Sequence, residues 1–419
     1  MLRYISVFAI IIFFTSFLSF SEANVGLTVF DDNYIVEKFV SGLDFPTTID
    51  FVGNDLLVLE KMTGKVIRIN ENGEIDKEPV LVVPAAQDAE GGLLGIATTP
   101  NHVFLYFTEH RSTYYTHTPP KNTVYQYDWD GKNLTNPILI KELSADSPIH
   151  NGGVFAKGKN GEIYFVIGDD LKDTIFQNIP SAPTDNETGS IFKIHTDDNN
   201  QVELFAVGIR NSFGLAVDPV TGYLWQTENG VLVYDEINLV KNGFNSGWKS
   251  IMGPADRVDA WIDTSDSIPP LQGFVYSDPE FSWHTTIGVT AIAFPDMNNF
   301  GNYQDWLFVG DINNGKIYKF HLNSDRTEFI FSTPNLRDLV YDGGDELNEI
   351  IFAEAFSGGI TDIKFGNDAM YVVSPFDNGS IYKIYPKQTP FPYAIILAGI
   401  VIAIIILAGI KIIQNNYDV

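Results

Sequence analysis

Apolar residues in this chain fall in short runs separated by Gly, Asn, Asp or Pro, and the runs come in pairs. The recurring unit is a polar or Gly-rich entry, an apolar strand, a turn and a second apolar strand. It reads "FPTTIDFVGNDLLVLEK" (45–61), "EGGLLGIATTPNHVFLYFTE" (90–109), "HNGGVFAKGKNGEIYFVIGD" (150–169) and "RNSFGLAVDPVTGYLWQTE" (210–228). Two looser copies follow, "GVTAIAFPDMNNFGNYQDWLFVGD" (288–311) and "SGGITDIKFGNDAMYVVSP" (357–375). A third strand recurs after several of them, as "GKVIRI" (64–69), "GSIFKI" (189–194), "GKIYKF" (315–320) and "GSIYKI" (379–384). Units of three or four short strands, roughly 45–80 residues apart and uninterrupted by a long amphipathic helix, predict an all-β fold. Six copies predict a six-bladed β-propeller over residues 24–386, since a β-sandwich does not need six matching copies. Segments 111–123, 170–188 and 252–280 read as loops on its faces.

The two ends break this pattern. "MLRYISVFAIIIFFTSFLSFSEA" has Arg3, an apolar stretch and Ser21-Glu22-Ala23 as a small-x-small site, and it reads as a signal peptide spanning 1–23. "YAIILAGIVIAIIILAGI" (393–410) is uncharged and apolar all round, with Pro390 and Pro392 before it and Lys411 after it. It reads as one C-terminal transmembrane helix, joined by a 387–392 linker and followed by the short tail 411–419. Together the ends predict an exported, single-pass cell-membrane protein with its propeller on the outer face.

The repeat also brings chemistry together. In a propeller the first strand of each blade lines the axial channel, so residues just before those strands converge on one mouth. At that position the copies carry Glu90, His150 and Arg210-Asn211. Arg210 lies within the strand-like run "LFAVGIRNSFGLAVD" (204–218), where a guanidinium needs a partner. Asp235 or Glu236 of "YDEINLV" would serve as a core partner; otherwise the cation meets an anionic or quinone oxygen of a ligand. His150 suits a general base, and a hydrogen-bonded strand-start histidine is the plainer alternative. His284 in "SWHTT" is a second candidate for the same face. Asn229 and Gly230 fall in a loop whose carbonyls would suit a hard cation, and "YDGGDELNE" (341–349) is an acidic loop without the EF-hand pattern.

Composition narrows the choice. Fifty-three acidic against 26 basic side chains give a net charge of −27, which disfavours nucleic acid as a partner. With no cysteine, thiol catalysis, disulfides and cysteine-ligated metals are excluded. There is no Walker loop, no dinucleotide fingerprint after a strand and no G-x-S-x-G elbow.

Over residues 40–385 the chain resembles the soluble-type glucose and aldose sugar dehydrogenases that use pyrroloquinoline quinone (PQQ), also called the glucose/sorbosone dehydrogenase family. The likeness is carried by "EGGLLGIA", "HNGGVFAKGKNGEIYFVIGD", "VGIRNSFGLAVDPVTGYLWQTENG" and "DEINLVKNGFNSGW". It implies a PQQ-dependent aldose dehydrogenase acting on a small sugar and passing electrons to an acceptor that the sequence does not identify. By the resemblance His150 is the base that takes the proton from the C1 hydroxyl. Arg210 and Asn211 contact the quinone oxygens, while Glu90, Asn229 and Asp235 are polar positions beside cofactor or substrate. Gly230 and Val231 fall where backbone carbonyls hold a Ca²⁺.

The chain departs from the family where cations meet the cofactor's carboxylates, with Asn313, Gly359 and Thr361 at the aligned positions. Lys316 and Lys364 are the replacements suggested by sequence. Ile149 precedes His150 where the family has an acid. These departures define the alternative, a non-catalytic propeller of the same ancestry that binds a carbohydrate or protein ligand at the cell surface. A Ca²⁺-dependent lactonase would need more axial carboxylates than Glu90 and Asp235.

Overall fold

The computed structural model describes residues 26–112, 118–184, 186–257, 261–262, 268–295 and 300–387. The segments read above as a signal peptide (1–23) and as a transmembrane helix (393–410) lie outside them. Among the described residues no helix is long and apolar enough to cross a membrane.

The protein is an all-β propeller. Strands Pro46–Val52, Leu93–Thr98, Phe155–Lys157, Gly214–Val217, Val289–Ala293 and Asp362–Gly366 each head a separate sheet. Each touches the next in that order, and Asp362–Gly366 returns to Pro46–Val52, so these strands close a ring around the axis. Within each repeated segment the two runs pair antiparallel, for instance Ile49 opposite Val58 and Gly214 opposite Thr227. Small residues let the ring close tightly. A Cβ on Gly95 would stand 1.9 Å from the Gly153 carbonyl oxygen of the next sheet.

Second strands such as Asp55–Glu60 and Ile163–Ile167 are apolar without alternation because both of their faces are covered. The core accordingly lies between sheets. Leu57, Leu59 and Val66 meet Leu93, Ile96 and Val103 across one junction, and Ile49 and Val58 meet Tyr371 and Val373 across another. The aromatic-rich junction of Trp225, Trp283, Phe281, Tyr318 and Phe320 joins two more.

The sheets are less uniform than the repeat suggests. In ring order they hold four, four, six, five, five and four strands. The additions include two-residue strands paired in parallel, Phe244–Asn245 and Val275–Tyr276 on one sheet and Val340–Tyr341 on another. Such short pairings carry no apolar run of their own, so periodicity does not register them. The N-terminal strand Tyr34–Val40 is the outer strand of the last sheet, pairing with Ser380–Pro386, and Thr28–Val29 pairs with Ile351–Glu354.

Candidate active site

Arg210 is not inside a strand. Strand Gln201–Val207 ends one sheet's antiparallel run and Gly214–Val217 begins the next, and residues 208–213 cross between them at the channel mouth. The apolar residues on either side of Arg210 belong to different sheets. Similar crossings carry Glu90 and His150, and the three come together in a cavity of about 410 Å³ also lined by Asn211 and Asn229.

The mouth is tied by hydrogen bonds from crossing to crossing. Glu90 N–H donates to the Pro148 carbonyl, and the Glu90 carboxylate accepts from His150 N–H. Asp169 N–H donates to the Arg210 carbonyl, Arg210 N–H to Glu228 Oε1 at 2.6 Å, and Asn229 N–H to the Asn211 carbonyl. Gly168 sits at the centre, where an added Cβ would lie 2.6 Å from the His150 carbonyl oxygen and 2.8 Å from that of Arg210.

His150 is buried, with a left-handed φ of 64°. Such a conformation is uncommon for a residue bearing a Cβ and is often found at functional sites. Its Nδ1 lies 2.6 Å from Asp169 Oδ1, whose other oxygen accepts from Trp248 Nε1 at 2.8 Å. Burial pushes the Asp169 carboxyl up, but the hydrogen bond and charge of His150, with bonds from Leu171 N–H and Trp248, outweigh it and hold Asp169 below its ordinary value. An ionised Asp169 fixes the proton on Nδ1 and leaves the Nε2 lone pair for a substrate. The sequence reading missed Asp169. The signal was in the repeat, which places an acid at or just after the end of its second strand in five copies: Glu60, Glu109, Asp169, Glu228 and Asp311.

Among the described residues no carboxylate pairs with the Arg210 guanidinium. Nη1 donates to the carbonyls of Asn229 (2.7 Å) and Gly230 (2.9 Å), and the group lies over the Trp248 ring, 5.5 Å from its centroid. Desolvation lowers its pKa, opposed by Asp169, Glu228, Asp235 and Glu90. Of the two alternatives, a pairing with Asp235 or Glu236 is not seen. Asp235 accepts N–H groups of Gly230, Ile287 and Gly288 at 2.7–2.9 Å and fastens two loops together. It does not line the cavity. Glu236, fully buried, accepts from Gly253 N–H and Asn238. Desolvation pushes Glu228 up to about 7 and raises Glu236 as well.

Asn211 leaves its buried Oδ1 without a hydrogen-bond partner while lining the cavity, so it is ready to accept from a ligand. An unpartnered acceptor and the His150 imidazole suit sugar hydroxyls, while the Arg210 guanidinium is the donor for a quinone oxygen. A Ca²⁺ fits less well. Of the two carbonyls expected to hold it, that of Gly230 already accepts from Arg210 Nη1. Among the described residues no group of three His, Cys, Asp or Glu is placed to hold a metal. In the 341–349 loop, Glu349 accepts from Ser332 and Thr333, and Glu346 from Asp342 N–H.

Of the remaining candidates, His284 packs edge-on against Tyr234 outside the cavity. Lys316 and Lys364 do not line it either; Lys364 pairs with Asp362 and faces a cavity of about 230 Å³ at the other end of the channel. The cavity's second cation is Lys61.

Residues 43–381 match the glucose/sorbosone dehydrogenase family model. The chain belongs to this family. The aldose sugar dehydrogenase YliI of Escherichia coli K12 is 23% identical over 382 residues, 84% of this chain and 93% of that one. The quinoprotein glucose dehydrogenase B of Acinetobacter calcoaceticus is 29% identical over 262 residues, 54% of each chain. The PQQ-bound aldose sugar dehydrogenase of Streptomyces coelicolor shares the fold, with a TM-score of 0.62 at 21% identity over 84% of this chain and 98% of that one. The matched stretch contains every residue of the mouth from Glu90 to Asn229.

Proposed function

We propose that this member of the glucose/sorbosone dehydrogenase family is a quinoprotein dehydrogenase that oxidises an aldose sugar at C1. The observation that carries the reading is His150, oriented by Asp169 toward a cavity it shares with Arg210 and Asn211. His150 Nε2 takes the proton of the C1 hydroxyl as the C1 hydrogen leaves with its electron pair, so the sugar is converted to its lactone. PQQ, when bound, supplies the two-electron acceptor. Arg210 would donate to its reacting end, beside Asn211, where a desolvated guanidinium favours developing negative charge. Asp169 stabilises the imidazolium that His150 becomes. Glu90, bonded to His150 N–H, fixes the crossing that carries the base.

The test is aldose-dependent dye reduction by the purified protein supplied with PQQ. His150→Ala should abolish turnover while leaving cofactor affinity within about twofold, because the residue moves a proton rather than holding the cofactor. Unchanged turnover would remove His150 as the base. A non-catalytic binding module is favoured by the apolar wall of Phe45, Ile312 and Phe376 in the same cavity. Its signature would be saturable sugar binding with no dye reduction at any PQQ concentration.

A further inference from the structure

The cavity's two cations enter from opposite sides. Lys61 follows the second strand of the sheet headed by Pro46–Val52, and Arg210 precedes Gly214–Val217, three steps away around the ring in either direction. The two have different surroundings.

Lys61 is only 6% exposed, and no carboxylate pairs with it among the described residues. Its ammonium donates to the carbonyls of Ala89 (2.8 Å) and Asp88 (3.1 Å). The third contact is the Met62 thioether at 3.6 Å, a weak acceptor. Desolvation lowers its pKa, opposed by the more distant charges of Glu90 and Asp88. A buried ammonium held by two neutral carbonyls is under-compensated, and an anion within reach would relieve that. Aromatic rings stand beside it. Phe45 lies 5.4 Å from Nζ, and Phe376, 63% exposed, meets Phe45 edge to face at 5.1 Å.

We propose that Lys61 anchors a carboxylate of the ligand this cavity takes, with Phe45 and Phe376 flanking the flat ring that bears it. The ligand class is a planar aromatic carboxylate whose opposite end meets Arg210. The assignment rests on the quinone reading and gives this chain an anchoring cation on the side of the ring opposite Arg210.

The experiment is an equilibrium titration of the full-length protein, followed by ligand absorbance, with two probes: PQQ and the simpler quinoline-2,4-dicarboxylate. Lys61→Met should weaken both by about tenfold or more, the loss of one charge-assisted contact. Lys61→Arg should retain most of the affinity. The trimethyl ester of PQQ should bind wild type and Lys61→Met alike, which separates lost charge from a disturbed fold; near-ultraviolet circular dichroism checks the fold directly. If PQQ binds wild type and Lys61→Met equally, the anchor is wrong and the quinone reading stands. If only the dicarboxylate binds, and needs Lys61, the anchor stands and the quinone reading falls. If neither probe binds wild type, both fall.

Discussion

Whether His150 can act as a base depends on one proton, and that proton is held by Asp169. Asp169→Asn preserves the shape and can keep the Trp248 bond, but it removes the anion that fixes hydrogen on Nδ1. Turnover should fall by about three to four orders of magnitude with little change in cofactor affinity, because the imidazole then presents the wrong nitrogen. Wild-type kcat in this variant would show that Asp169 only packs. The residues themselves were partly legible. Glu90, His150, Arg210, Asn211 and Asn229 were found because they sit at one repeat position or in one family stretch, and the cavity unites them. Asp169 was not found, because an acid at or just past a strand end is ordinary until five copies are compared. Lys61, Phe45 and Phe376 belong to the first and last repeats, and only closure of the ring brings them level with His150.

At the scale of elements, the site is a property of crossings rather than strands. The paired runs were readable because both faces of each second strand are buried, which leaves a continuous apolar signature. The crossings were not, since their course depends on where the next sheet begins. One buried acid at such a junction gives a measurable consequence. Asp311 closes its strand fully buried and accepts from Gly315 N–H (3.1 Å), the Tyr318 hydroxyl (2.9 Å) and Asn314 N–H. Desolvation outweighs these bonds and pushes its carboxyl from 3.8 up to about 6. A raised folded-state value means the protonated form is favoured on folding. The associated stability is therefore present below pH 3.8 and lost as pH rises through about 6. Asp311→Asn stays neutral and can keep the same partners, so its stability should exceed wild type at pH 8 by up to about 3 kcal/mol. Urea unfolding at pH 4 and pH 8 reads this, and identical pH slopes for the two proteins would refute it.

At the scale of the molecule, we propose that the propeller faces outward on a membrane, held by the apolar segment 393–410. Stopping the chain after Lys387 should move it from the membrane fraction to the soluble fraction, because the cut removes that segment and no helix among the described residues is long and apolar enough to span a membrane. A full-length chain already soluble after fractionation would overturn the anchor. The net charge of −27 keeps such a surface apart from anionic partners, so an electron acceptor that docks by charge would be basic.

The outer strand of the last sheet comes from the beginning of the chain, with Tyr34 opposite Pro386 and Val36 opposite Ile384. During synthesis that strand emerges with nothing to pair with, and its partner Ser380–Pro386 is the last strand made among the described residues. Such pairing has the largest sequence separation the fold contains, so loop closure makes it slow and leaves an open sheet edge until the end. The cavity that joins Lys61 and Phe45 to Phe376 therefore forms last, and a ribosome-bound or truncated chain would carry His150 and Arg210 in their crossings before it had a site around them.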